Sequence, residues 1–112
     1  MSSKSTFSNL TSKSYAIALF ETSTERTELD KVESEMKNLS QLIKDSSDFK
    51  EFITSPAISP QNKKYVLDKI TSLNNFSKTS KDFLGLISTK NRLFLLNQII
   101  ESFLNLISKN KG

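Results

Sequence analysis

The sequence predicts an all-α fold, a bundle of six helices, and three observations support this prediction. Apolar residues recur at spacings of three and four over most of the chain, which is the period of an amphipathic helix. Ser or Thr stands before several of these segments, where helices prefer to begin. Gly and Pro occur only twice each, too few for the regular turns of a β-sandwich or barrel. The 112 residues have the size of one domain.

The first predicted helix covers Lys13 to about Ser23 and follows a leader, residues 1–12. We expect the leader to be flexible, because Ser, Thr and Asn dominate it and it lies at a chain end. The helix contains six consecutive apolar residues, 15–20, which surround it rather than forming one stripe. We therefore expect this helix to lie at the centre of the bundle or to have one face covered by a partner.

The second predicted helix begins at Thr27, whose hydroxyl would cap it while Asp30 stands three residues later, as in a capping box. Apolar residues then follow on one face, and charged residues occupy the other. The third predicted helix is short, from Asp48 to Thr54. It ends before Pro56, because a residue that precedes proline is pushed out of the helical region.

The fourth predicted helix begins at Ser59 and Pro60, because Ser is a preferred N-cap and Pro is tolerated at the first helical position. It continues to about Ser72, and we expect Leu73 to point inward with the other apolar residues.

The fifth predicted helix is capped by Thr79 and ends near Thr89. Its apolar residues exceed what a single buried face needs, as they do in the first helix. The last predicted helix runs from about Arg92 to Lys109 and carries the broadest apolar stripe, which makes it the spine of the bundle.

The residue types that are absent exclude several kinds of site. His and Cys do not occur, which excludes a Ser-His-Asp triad, a cysteine nucleophile and thiolate or imidazole metal ligands. Two glycines cannot form the usual phosphate-binding loops. No pair of nucleophile and base stands out by its spacing, so we expect neither an enzyme nor a bound cofactor. No stretch approaches the roughly 18 apolar residues of a membrane helix, so we expect no direct membrane insertion.

The charge is unevenly distributed, and it raises an alternative function. Residues 1–56 carry seven basic and nine acidic side chains, whereas residues 57–112 carry nine basic and three acidic ones. A basic half could belong to a helical nucleic-acid-binding module. However, its basic residues are scattered and Arg92 is the single arginine among them. The sequence therefore favours a solvated surface without nucleic acid.

Several segments, taken together, resemble one family. Residues 15–20 (YAIALF) resemble the YAxALF signature of the delta subunit of F-type ATP synthases, whose mitochondrial relative is the oligomycin sensitivity-conferring protein. Residues 52–59 (FITSPAIS) are similar to its F-L-x-S-P-x-I-S segment. Residues 83–87 (FLGLI) and 91–93 (NRL) are similar to a later stretch of the same family. The resemblance covers about residues 10–108.

The resemblance implies a non-catalytic, structural role. Residues 13–109 would form the N-terminal six-helix domain of that subunit, with the family's C-terminal domain absent. The subunit links the catalytic head to the peripheral stalk and so supports proton-driven ATP synthesis. Its N-terminal domain, a monomer alone, holds the N-terminal helix of an alpha subunit, and its C-terminal domain contacts the b-type stalk subunit. The expected place is the cytoplasmic face of a bacterial inner membrane or, alternatively, the matrix side of the mitochondrial inner membrane.

In the family, the alpha-subunit helix lies in a groove between the first and fifth helices. Tyr15, Ala18 and Leu86 match family positions that line it. Thr22 and Lys90 are added by extending the same helical stripes. Asp82, which stands where the family usually has Asn, belongs to the second stripe. Ser14 is a second departure from the family pattern, since Arg or Pro is usual at this position. The resemblance and the helical stripes together predict a partner-binding groove. Gly85 would help a partner to enter it, because glycine has no side chain that could block the way.

Overall fold

The structure, a computed structural model, describes the backbone of residues 3–111 and the side chains of residues 6–111. Residues 1 and 2 of the predicted leader lie outside this range. The described residues form six α-helices and one short 3₁₀ helix, and they contain no strand, which confirms the all-α six-helix prediction. The helices are α1 (Ser3–Glu25), α2 (Leu29–Asp45), α3 (Ser47–Thr54), α4 (Pro60–Leu73), α5 (Lys78–Thr89) and α6 (Leu96–Lys111), with the 3₁₀ helix at Leu93–Leu95.

The core is centred on α6, as its broad apolar stripe predicts. Ile99, Ile100 and Phe103 of this helix are completely buried. The helix packs along α1 on one side and against α2 on another, and α5 packs mainly against α4. The other large side chains that are fully enclosed come from every remaining helix, from the 3₁₀ segment and from the first residue of α6: Leu19, Met36, Leu39, Ile53, Leu67, Leu84, Ile87, Leu93 and Leu96.

The first helix begins ten residues earlier than predicted, at Ser3 rather than at Lys13. Its N-terminal part is held by contacts that are distant in sequence. The Ser12 hydroxyl, almost fully buried, donates a hydrogen bond to Gln98 Oε1 at 3.1 Å. The Arg92 guanidinium lies 5.4 Å from the centroid of the Phe7 ring. Helix propensity is a weak guide where tertiary contacts stabilise a segment, so the Ser-rich composition was misleading here.

Two predicted N-caps are wrong. Thr27 has φ 55°, in the left-handed region, and its hydroxyl donates to the carbonyl of Arg26 at 2.6 Å. An N-cap needs extended backbone, so Thr27 cannot serve, and Glu28 precedes α2 without a side-chain cap. The fifth helix is capped by Ser77 instead of Thr79: Ser77 has extended backbone, and its Oγ accepts from the backbone N–H of Ser80 at 3.2 Å.

At the other helix boundaries, one local signal predicted the structure correctly and two did not. Ser59 caps α4 by accepting from the backbone N–H of Asn62 at 3.1 Å, with Pro60 as the first helical residue, as predicted. Leu73 does not point inward, because it is the last residue of α4 and is 82% exposed. The last helix does not begin as an α-helix at Arg92, since the chain first makes the 3₁₀ turn after Asn91, whose φ is 60°.

Candidate functional site

A cleft of about 230 Å³ lies between α1 and α5. The two helices run in opposite directions along it, since Tyr15 of α1 meets Phe83, whereas Arg26, which directly follows α1, meets Thr79, four residues earlier on α5. Both walls are therefore formed by helical stripes with three- and four-residue spacing. The lining residues are Tyr15, Ala18, Leu19, Thr22, Arg26, Thr79, Asp82, Phe83 and Leu86.

The middle of the cleft is apolar and rests on the core. The Tyr15 and Phe83 rings meet edge to face, with centroids 6.3 Å apart and planes inclined by 76°. Phe83 is buried, while Leu86 on the same wall is 45% exposed. Ala18 on the opposite wall is exposed and adds only a methyl group. An apolar surface in which a partly exposed leucine lies beside a buried phenylalanine is suited to contact an apolar side chain of another molecule.

One end of the cleft is polar. The Arg26 Nη1 donates to the hydroxyl of Thr79 at 3.1 Å, and the Thr79 hydroxyl in turn donates to Glu28 Oε1. Thr79 is only 2% exposed, so this chain of hydrogen bonds fixes the guanidinium against α5. Asp82 Oδ2 lies 2.8 Å from Lys78 Nζ and 3.8 Å from Arg26 Nη1.

The α5 wall is anchored from behind by α2. The buried carboxylate of Glu35 accepts three hydrogen bonds: from the backbone N–H of Ser77 at 2.6 Å, from its hydroxyl at 2.7 Å, and from the hydroxyl of Ser80 at 2.6 Å. A carboxylate at the N-terminus of a helix also interacts favourably with the helix dipole. Glu35 therefore holds the first turn of α5 in place, although it does not reach the cleft.

Five of the six residues that the sequence predicts for the groove line this one cleft: Tyr15, Ala18, Thr22, Asp82 and Leu86. Lys90 does not line it. This residue follows the last turn of α5 as its C-cap, its backbone N–H donates to the carbonyl of Leu86 at 3.0 Å, and its side chain is exposed. Position 90 follows the last residue of α5, so the extrapolated stripe falls outside the cleft there.

Four lining residues were missed: Leu19, Arg26, Thr79 and Phe83. A sequence signal existed for two of them, since Arg26 continues the stripe of Ala18 and Thr22, and Thr79 stands three residues before Asp82. Thr79 was overlooked because it was assigned as the N-cap of the fifth helix, and Arg26 because the first helix was predicted to end near Ser23.

Gly85 has a different role from the one predicted. A Cβ built on it would lie 3.3 Å from Cε of Lys64, so it faces α4 and not the cleft. It therefore allows close packing between α5 and α4 and opens no entry to the groove.

Comparison with known proteins decides the family. A profile of the ATP synthase delta (OSCP) subunit family matches residues 11–112. The chain belongs to the ATP synthase delta (OSCP) family. The ATP synthase subunit delta of Phenylobacterium zucineum is 36% identical over 103 residues, which cover 92% of this chain and 55% of that protein. The corresponding subunit of Mycoplasma mobile is 33% identical over 97 residues, or 87% of this chain and 53% of that protein.

A solved structure agrees with this family assignment. A chain of the cryo-EM structure of the Toxoplasma gondii mitochondrial ATP synthase hexamer superposes with a TM-score of 0.78 at 30% identity. The match covers 82% of this chain and 51% of that chain. The delta-family chain described here thus spans about half the length of the relatives that it matches. Between residues 3 and 111, no helix is both long and apolar enough to cross a membrane.

Proposed function

We propose that this chain is a non-catalytic subunit of the peripheral stalk of an F-type ATP synthase, and that its α1/α5 cleft holds the N-terminal helix of an alpha subunit of the catalytic head. The observation that carries the proposal is the cleft itself. It is bounded by two helices, is apolar in the middle, and contains a leucine, Leu86, that is 45% exposed beside the buried Phe83.

Helix-in-groove binding needs an apolar channel that accepts anchors at three- and four-residue spacing. The cleft offers such a channel, since its walls are Tyr15 and Ala18 on α1 and Phe83 and Leu86 on α5. Ala18 lets an incoming backbone approach closely, because its side chain is small. The Tyr15 ring packs on Phe83, and a tyrosine in this position can pair an apolar contact with a polar hydroxyl at the rim.

The wider role follows the family. Relatives that are called ATP synthase subunit delta are longer than this chain, whose match covers 55% of the relative from Phenylobacterium zucineum. In our proposal the α1/α5 cleft binds the catalytic head, whereas the C-terminal domain of the family contacts a b-type stalk subunit. Such a subunit resists rotor torque and does no chemistry of its own, so the head stays fixed while proton flow drives ATP synthesis. Its place would be beside the inner membrane, on the bacterial cytoplasmic face or the mitochondrial matrix side.

A peptide titration tests the cleft. The ligand is a synthetic peptide for the N-terminal helix of the alpha subunit from the same source, followed by fluorescence anisotropy. We expect Leu86→Ala to weaken binding by about 1–3 kcal/mol, or roughly 5- to 150-fold, because the peptide buries this side chain. Ala18→Trp should abolish binding by filling the cleft while leaving the melting temperature nearly unchanged.

Ile17→Ala is the matched control. Ile17 is 46% exposed, almost the same as Leu86, and lies on α1, but it lines a different surface beside α6. It should therefore leave the affinity for the peptide unchanged. Wild-type affinity in Ala18→Trp, together with a much lower melting temperature in Leu86→Ala, would place the groove elsewhere. Salt-dependent binding to random duplex DNA, with no binding of the peptide, would instead favour the nucleic-acid alternative.

A further inference from the structure

We propose that Arg26 binds a carboxylate of the docked helix, so that the cleft selects an amphipathic helix with an Asp or Glu at one end of its apolar stripe. This inference rests on the proposed function and names the chemistry that the cleft recognises. Its basis is the asymmetry of the cleft, which is apolar around Ala18 and Leu86 and carries a fixed guanidinium only at the end where α5 begins.

The guanidinium is held on one side by one hydrogen bond, to a hydroxyl that is itself hydrogen-bonded. Its Nη1 donates to the Thr79 hydroxyl at 3.1 Å, and that hydroxyl donates to Glu28, which sits at the start of α2. An arginine has five N–H donors in a rigid fork, and a carboxylate can accept two of them at once. Because the Arg26 side chain is 48% exposed, part of the fork is open to a ligand while the rest keeps its orientation.

Arg26 favours an anion over a second cation, because the open N–H groups of its guanidinium can only donate hydrogen bonds. Asp82 is the nearest carboxylate, but its Oδ2 lies 2.8 Å from Lys78 Nζ and 3.8 Å from Arg26 Nη1. Asp82 is therefore matched mainly by Lys78, while the short hydrogen bond of Arg26 goes to a neutral hydroxyl. The N-terminus of α5 and the C-terminus of α1 both lie at this end, so their dipoles oppose each other and the guanidinium itself supplies the attraction for an anion.

The geometry also gives the position of the carboxylate on the peptide. Ala18 and Thr22 stand on α1 at four-residue spacing, and Arg26 directly follows the helix at the same spacing, with its backbone N–H still donating to the carbonyl of Thr22 at 3.0 Å. Arg26 is therefore about 12 Å from Ala18 along the helix axis. A helix that docks alongside α1 would place its carboxylate about two turns from the side chain that packs on Ala18. We therefore expect the docking helix to carry an Asp or Glu some seven or eight residues from the side chain that packs on Ala18.

The test changes the charge on both partners. The probe is the alpha-subunit N-terminal peptide, together with variants in which each Asp or Glu is replaced in turn by its amide. We expect one amide peptide to bind the wild-type protein about fivefold more weakly, which is the scale of a half-exposed ion pair. Arg26→Gln should weaken the unaltered peptide to the same extent and should no longer distinguish it from that amide variant. Raising the salt concentration should reduce wild-type affinity more than that of Arg26→Gln.

Lys90→Gln is the control, because it removes an exposed cation that does not line the cleft. Arg26→Glu should bind best to the peptide in which the same carboxylate is replaced by Lys. If Arg26→Gln lowers the melting temperature strongly, the peptide series on the wild-type protein alone decides the matter. The inference is overturned if no amide substitution changes the affinity while Leu86→Ala still weakens binding as expected; the proposed function then stands. If the wild-type protein does not bind the peptide at all, both fall together.

Discussion

Two neighbouring residues of α5 show how differently the two sides of one helix are used. Ile87 is completely buried in the core, whereas Leu86 is 45% exposed and lines the cleft. Both are large and aliphatic, and both stand in the same apolar segment. The difference shows that an apolar side chain is not necessarily a core residue. Whether it is buried depends on which neighbouring helices pack against its face.

The cause lies in how α1 is placed. This helix packs along α6 for much of its length and meets α5 mainly where Tyr15 contacts Phe83 and Arg26 contacts Thr79. The face of α5 that carries Leu86 is therefore left partly open, whereas the face that carries Ile87 is closed by the core. A six-helix bundle that covered every apolar stripe would have no surface for a partner helix.

The largest expected effect separates these two faces. Ile87→Ala should destabilise the protein by about 2–5 kcal/mol, because it leaves a cavity in a closed core. Leu86→Ala should lower the free energy of unfolding by less than about 1 kcal/mol, because the side chain is nearly half exposed. Urea unfolding followed by circular dichroism measures both. Equal losses for the two variants would mean that Leu86 belongs to the core.

A second prediction concerns the support of the cleft wall. Glu35→Gln should cost about 1–3 kcal/mol, because an amide cannot accept the three hydrogen bonds that Ser77 and Ser80 donate and one buried donor loses its partner. Asp30→Asn, an exposed change in the first turn of the same helix, is the control and should cost less than about 1 kcal/mol, the scale of its interaction with the helix dipole. If Glu35→Gln unfolds in urea like the wild type, the carboxylate is not what anchors α5.

Much of this architecture could be predicted from the sequence, because it depends on local periodicity. The stripe of α6 and the Ser59–Pro60 start of α4 are set by residues close together in the chain. The groove residues on α1 and α5 were identified through the family resemblance and the helical spacing. Their meeting in one cleft depends on the packing of α1 against α6, which no local pattern contains.

The failures were at positions that distant residues control. Thr79 was expected to cap α5, but it lies in the first turn of that helix and hydrogen-bonds Arg26 and Glu28, more than 50 positions away. The helical Ser-rich segment before Lys13 is supported in part by Ser12 and Gln98, 86 positions apart. The hydrogen bond between Arg26 and Thr79 likewise forms only when α1 and α5 are placed side by side, although helical spacing already indicated that Arg26 lies on the stripe of Ala18 and Thr22.

A third prediction contrasts Glu35 with a buried cation on another part of the molecule. Lys63 of α4 is 5% exposed, and its Nζ donates to the carbonyl of Ile53 at 3.3 Å. Burial lowers the pKa of Lys63 below its ordinary value of 10.5. The unfolded chain therefore holds the Lys63 proton more tightly than the folded protein does. Burial of the charged ammonium thus lowers the free energy of unfolding by its maximal amount when the pH is below the folded pKa. This loss becomes smaller as the pH rises from the folded pKa toward 10.5.

Urea unfolding between pH 7 and 10.5 should reveal this contribution as a difference between the wild type and Lys63→Met. Because the other lysines and tyrosines titrate in both proteins, only the difference is informative. We expect the wild type to gain stability relative to Lys63→Met as the pH rises through this range. A constant difference across the range would show that Lys63 titrates as it does in the unfolded chain.

The smallest effect concerns a third side of α5, the one that faces α4. Gly85→Ala should stabilise the protein by up to about 1 kcal/mol, because glycine in a helix interior loses more backbone entropy than alanine on folding. The new Cβ would meet Cε of Lys64 at 3.3 Å, a close contact with the far end of a flexible, 44% exposed side chain that can move aside. Peptide affinity should not change, because Gly85 does not line the cleft.

A thermal melt measures the gain in stability, and the peptide titration measures the affinity. Weaker peptide binding by a stable Gly85→Ala protein would show that the groove extends across Gly85, as the sequence first suggested, and that α5 has two faces open to partners rather than one.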